Sequence, residues 1–237
     1  MQIWKNRAIV LSKINYSETS LILKVFTEKK GIRRGLVKGG KKINKSNIFE
    51  SGNLIAVEWK SKSEESLGIF SCELLEANSG IFLKDTKKFL AIISILNLIE
   101  FSFLENEVEE QLFFKTYKLL KDILNNEENW LLQYVKWELF LLNKIGFGLE
   151  LSRCVVSQSK TNLIYVSPKS GCAVSKKSAE GWESKLLDLP SFLVSDKNAN
   201  IIDIKKGLKL TAFFLKKFSE SISKNLPFTR KYFIDSI

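Results

Sequence analysis

The chain has 237 residues, 45% apolar and 27% charged, which suits one large or two small globular domains and excludes a wholly disordered polypeptide. It carries 37 Lys and Arg against 26 Asp and Glu, a formal net charge of +11 that favours a polyanionic partner such as nucleic acid or an acidic membrane surface. Histidine is absent, so Ser-His and Cys-His nucleophile pairs, imidazole bases and His-containing metal sites are all excluded.

In chain order, Met1-Gln2-Ile3-Trp4-Lys5 runs straight into an alternating segment, without the charged start and apolar stretch of a signal peptide. Residues 4–14, 20–27, 32–38, 54–60 and 68–76 are short runs rich in Ile, Val, Leu and aromatics, punctuated by glycines. Five strands in this length predict a small closed barrel and are too few for a two-sheet sandwich. From Thr86 the spacing turns helical: Phe89, Ile92, Ile93, Leu96 and Ile99 share a face, and Leu112, Phe113, Leu119, Leu120 and Ile123 share the next. The apolar stretch 89–104 contains Asn97 and Glu100 and falls short of the roughly 20 residues a bilayer needs, so it predicts a buried helix and no membrane span. A third helix is expected over 130–145, ended by Gly146 and Gly148, and a fourth over 203–223, with Asp203 as its cap and Pro227 beyond its end. Between them, residues 163–175 predict a small hairpin or loop. The fold class is therefore α+β, with a barrel domain over 1–80 and a mainly helical domain over 81–237 that carries an insert at about 150–178. Three sparse cysteines, Cys72, Cys154 and Cys172, make no secreted disulfide framework and point to a reducing cytoplasm.

Charge is uneven: the net is +6 over residues 1–80, −3 over 81–150 and +8 over 151–237. Between residues 24 and 45, nine basic side chains face the single acid Glu28. Lys24, Arg33, Arg34, Lys38, Lys41, Lys42 and Lys45 are the candidate DNA-binding residues. A solvated face of a Lys-rich protein is the plainer explanation, but two of only five arginines stand adjacent here, and guanidinium grips phosphate bidentately and stacks on bases. Trp4, Tyr16 and Phe26 lie on neighbouring predicted strands, the combination that single-strand-binding surfaces use, although each taken alone suits a core better than a platform.

Other motifs weaken on inspection. Gly35 to Lys41 fits the core of a phosphate-binding loop, but Lys42 stands where Ser or Thr must reach magnesium, and no helical pattern follows. Cys154-Val155-Val156-Ser157 and Cys172-Ala173-Val174-Ser175, 14 residues apart, have zinc-ribbon spacing with half the thiols replaced by hydroxyls. No metal and no cofactor is expected. The carboxylate pairs Glu64-Glu65, Glu109-Glu110 and Glu127-Glu128 suit solvated faces, and no catalytic centre emerges, so the chain is not expected to be an enzyme.

The order of several segments resembles the RecO family of bacterial DNA repair proteins. These are Arg7-Ala8-Ile9-Val10-Leu11, Tyr16-Ser17-Glu18-Thr19-Ser20, Phe26-Thr27-Glu28-Lys29-Lys30-Gly31 and Lys38-Gly39-Gly40-Lys41-Lys42 near the start. Asn143-Lys144-Ile145-Gly146-Phe147, Val166-Ser167-Pro168-Lys169-Ser170-Gly171, Leu189-Pro190-Ser191-Phe192-Leu193 and Leu226-Pro227-Phe228-Thr229-Arg230 continue it over nearly the whole chain. The half-lost cysteine set is similar to alphaproteobacterial members. The resemblance implies an OB barrel, a helical domain and a zinc-ribbon-like insert lacking its full ligand set. It also implies a recombination mediator, cytoplasmic and nucleoid-associated, that binds single- and double-stranded DNA and anneals complementary strands. Such proteins load RecA indirectly, with RecR, onto strands coated by the single-stranded-DNA-binding protein (SSB), whose acidic C-terminal tail they engage. The basic C-terminal third, with Lys205, Lys209 and Lys216 on its last predicted helix, is the expected receptor for that tail. The alternative is an RNA- or ribosome-associated protein, because OB surfaces serve RNA equally well.

Overall fold

A computed structural model describes residues 1–42, 46–63, 65–78, 85–195 and 199–237. β1 (Gln2–Asn15), β2 (Leu21–Thr27), β3 (Gly31–Val37), β4 (Leu54–Ser61) and β5 (Ile69–Glu76) close into a barrel in the order β1-β2-β3-β5-β4. β3 and β5 run parallel and every other neighbour is antiparallel, so the five-stranded OB-like expectation holds. Strand alternation sends Ala8, Val10, Leu23, Val25, Val37, Ile55, Val57, Trp59 and Phe70 into one core. Gly35 is required there: a Cβ on it would stand 2.6 Å from the Phe70 ring, which fills the barrel at that level. The opposite face is partly covered as well, since Phe26 turns outward and meets Phe113 of a following helix, ring centroids 5.7 Å apart.

The helices are α1 (Thr86–Ser102), α2 (Glu110–Leu124), α3 (Trp130–Lys144), α4 (Ile201–Ser221) and α5 (Phe228–Asp235). Asp85 caps α1 by accepting the Lys88 amide at 3.1 Å. The expected hairpin forms from β6 (Leu163–Val166) and β7 (Ala173–Ser175), and β8 (Leu187–Asp188) joins it in a three-stranded sheet ordered β7-β6-β8. Two details differ from expectation. The cap of α4 is Asn200, whose Oδ1 accepts the Asp203 amide at 2.9 Å, so Asp203 lies in the first turn instead. Pro227, read as a stop, also precedes a further helix, because its fixed φ of −58° leads directly into α5.

The chain divides into two compact units. One comprises Met1–Asn126 with Pro227–Ile237, and the other Glu127–Leu226. In the first, α5 packs on α1 and buries Phe233 completely. In the second, α3 packs on α4. Gly207 makes this packing close, as a Cβ there would lie 2.9 Å from Val135 Cγ1. Among the described residues no helix is long and apolar enough to cross a membrane.

Candidate nucleic-acid interface

Adjacent residues on a strand point to opposite faces, and this separates Arg33 from Arg34. Arg33 turns inward and is buried; its guanidinium carbon lies 5.9 Å from the Trp4 ring and 5.7 Å from the Trp59 ring. Its Nε donates to the Lys30 carbonyl at 3.2 Å. Arg34 turns outward and pairs with Glu105. Lys24, its cross-strand partner, pairs with Glu100 of α1 at 2.8 Å. OB folds commonly bind oligonucleotides on the face of strands 2 and 3 and on the loops between strands 1–2 and 4–5. In this chain the middle of that face is neutralised by Glu100 and Glu105.

The remaining candidates gather on the turn after β3. Lys38, Lys41 and Lys42 are exposed, and none pairs with a carboxylate among the described residues. Gly39, at φ +68°, supplies the left-handed step, and Gly40 packs so tightly that a Cβ would stand 2.9 Å from Leu21 Cγ. The Lys42 amide closes the turn on the Gly39 carbonyl at 3.2 Å. The turn is tied to the β1–β2 loop, and the strand leading into it to the loop before β5. Lys41 donates its amide to the Thr19 carbonyl at 3.1 Å and its Nζ to the Ser17 carbonyl at 3.0 Å, while the Leu36 amide donates to the Gly68 carbonyl at 3.0 Å. Lys45 lies outside the described residues.

The aromatic candidates divide too. Trp4 stacks on Trp59 at 5.5 Å and Phe26 is buried, whereas Tyr16, on the loop between β1 and β2, is 63% exposed. Ile14, which the sequence reading passed over, is 65% exposed beside it. Its signal was an isoleucine immediately before a polar turn.

In the second unit, Cys154 is buried and its Sγ accepts the Ser157 amide at 3.5 Å and the Ser175 amide at 3.3 Å. Burial raises the thiol, but the Ser157 hydroxyl, the amides of Ser157 and Ser175 and the Ser178 hydroxyl outweigh it and bring its pKa down to about 5. Cys172 is half-buried and directs its S–H to the Ser170 carbonyl at 3.6 Å. A ribbon-type zinc does not fit this set: only two sulfurs are offered, one of them facing a carbonyl, and the remaining positions are neutral hydroxyls. Among the described residues no three His, Cys, Asp or Glu side chains gather.

Lys205, Lys209 and Lys216 lie along one exposed stripe of α4, at spacings that bring residues to the same side of a helix. Lys216 is 3.8 Å from Glu220, and neither Lys205 nor Lys209 pairs with a described carboxylate. Lys206 is held 3.8 Å from Asp188, and Lys217 Nζ donates to the Pro168 carbonyl at 3.0 Å. Lys209 borders a cleft of about 130 Å³ with Leu186, Leu187 and Leu210.

Comparison with known proteins divides the chain after the barrel, unlike the two compact units. Residues 1–78 match the family described as Recombination protein O N terminal, and residues 83–219 match Recombination protein O C terminal. The chain is 37% identical over 222 residues to a DNA repair protein RecO of Wolbachia sp. subsp. Drosophila simulans (strain wRi), covering 91% of each. It is 35% identical over 236 residues to that of Orientia tsutsugamushi (strain Ikeda), covering 99% of this chain and 97% of the relative. With that of Hyphomonas neptunium (strain ATCC 15444) it shares 36% over 238 residues, covering 99% and 98%.

Proposed function

The chain belongs to the RecO family of DNA repair and recombination proteins, which are mediators and not enzymes, and from that premise we propose that it binds single and double DNA strands through the turn after β3. The observation that carries this reading is the group Lys38, Lys41 and Lys42, exposed without carboxylate partners beside the exposed Tyr16. Three cations held on a turn anchored to the β1–β2 loop approach phosphates without ordering long side chains from a disordered segment. Two strands gathered on such surfaces lose their mutual repulsion, which promotes annealing. In the cytoplasm, on SSB-coated strands and with RecR, that activity would prepare the loading of RecA. The stripe Lys205, Lys209 and Lys216 of α4 is the receptor we assign to the acidic SSB tail, on charge complementarity.

Three phosphate contacts at about 0.7 each predict that log K for single-stranded DNA falls against log salt with a slope of roughly −2. Replacing Lys38, Lys41 and Lys42 by Ala flattens that slope and removes annealing without lowering the melting temperature. An unchanged slope rejects the turn as the site. Preference for a structured RNA of equal length over single-stranded DNA would favour the RNA-binding alternative.

A further inference from the structure

Most of one edge of β3 has no strand beside it. β5 meets β3 at the single pair Leu36 and Ile69, and towards Gly31 the place of a neighbouring strand is taken by the connection between α1 and α2. Glu105 forms a parallel bridge with Ile32, and the Asn106 amide donates to the Ile32 carbonyl at 3.1 Å. Gly31 admits this approach, since a Cβ on it would stand 2.2 Å from the Glu107 carbonyl oxygen. The connection therefore lies along the strand as a strap, and it carries acids. Glu105 of the strap pairs with Arg34, and Glu100, in the last turn of α1, pairs with Lys24 at 2.8 Å.

Lys24 and Arg34 stand directly opposite each other on β2 and β3, so the two carboxylates lie side by side, as neighbouring anions of one ligand would. The hold of the strap is light. Its ends are fixed, by the Phe103 amide on the Ile99 carbonyl at 3.2 Å and by Phe113 against Phe26. Between them, Leu104 is 69% and Val108 53% exposed, so neither aliphatic side chain anchors the strap. The Arg34–Glu105 pair is itself open to water, its side chains 54% and 36% exposed, and an exposed ion pair holds its partner weakly.

We propose that the segment from Glu100 to Glu107 is an autoinhibitory strap, whose carboxylates compete with phosphates for Lys24 and Arg34. This rests on the DNA-binding reading above and adds a threshold to it. A polyanion meets Lys38, Lys41 and Lys42 first, and takes the two strand cations only by displacing Glu100 and Glu105. Lys38 follows Arg34 by four residues, about 13 Å of extended chain. Phosphates already tethered on the turn therefore compete with the carboxylates at a high effective concentration, which an untethered anion lacks.

The test titrates the full chain with oligo(dT) over a range of salt and compares the wild type with Glu100→Gln/Glu105→Gln, which keeps side-chain size and removes the charge. The expected result is an affinity about tenfold higher at low salt and a slope that steepens from roughly −2 to roughly −3.4, two further phosphates at about 0.7 each. Adding Arg34→Ala takes back about half of the steepening. Glu73→Gln/Glu128→Gln, which raises the net charge equally at exposed positions outside the strap, keeps the wild-type slope. A wild-type slope in the Glu100→Gln/Glu105→Gln variant, or equal steepening in the Glu73→Gln/Glu128→Gln control, overturns the strap. Thermal melting verifies that each variant is folded; if the strap double variant is not, Glu105→Gln alone decides, with an expected slope of roughly −2.7. The lysine variant separates the two readings: if its slope flattens while the strap variant keeps the wild-type slope, the strap alone fails, and if its slope is unchanged the parent site fails.

Discussion

Cys154 joins two chain reversals through its sulfur, since the amides it accepts belong to residues 18 positions apart, Ser157 and Ser175. An unfolded thiol ionises near 9 and this one near 5, so between those values the unfolded chain holds more protons and stability rises with pH. The contribution is complete above pH 9 and is lost as pH falls through 5. The denaturation midpoint of the wild type is therefore expected to climb across that window, while Cys154→Ser gives a flatter profile; parallel profiles would show that the sulfur is not ionised. Cys72 behaves oppositely, as burial pushes it up to about 12 and no donor compensates. Neither contrast is visible in three isolated cysteines of a sequence. The arginine pair was deceptive in another way: its adjacency suggested one phosphate grip, yet adjacency within a strand guarantees opposite faces, and Arg33 spends its charge on Trp4 and Trp59.

Elements were most legible where periodicity was strong. The five barrel strands stand out because apolar residues alternate or cluster between glycines, and α1 to α3 because apolar residues recur every three or four positions. α5 was hidden: of its large apolar residues, Phe228 is 72% and Tyr232 57% exposed, so no apolar stripe forms, and Phe233 is buried beside a charged residue, Arg230. Asn97 Nδ2 of α1 donates to Thr229 Oγ1 at 3.1 Å, a contact across 132 residues of chain that no local pattern encodes. Phe233 is fully buried, so Phe233→Ala is expected to destabilise the first unit by about 3 kcal/mol in chemical denaturation. A change under about 0.5 kcal/mol would mean that α5 is not part of that core.

At the scale of the molecule, net charge located the basic segment but not which cations remain available. Glu100 and Glu105, which occupy Lys24 and Arg34, come from the acidic stretch 81–150 and reach the barrel only through folding. The donor set around Cys154 leads to a prediction for the whole protein: purified chain contains well under one zinc, and a chelator leaves its melting temperature unchanged. One zinc per chain by elemental analysis would require ligands other than Cys154 and Cys172. The interrupted first unit has a consequence for synthesis. Its closing helix, α5, follows the entire second unit in the chain. At about 5–20 residues per second, a ribosome takes roughly 5–20 s to make the segment between Asn126 and the last residue. Through that interval the surface of α1 that receives α5 stays uncovered, making nascent-chain protection by a chaperone most valuable after the barrel has emerged and before α5 does.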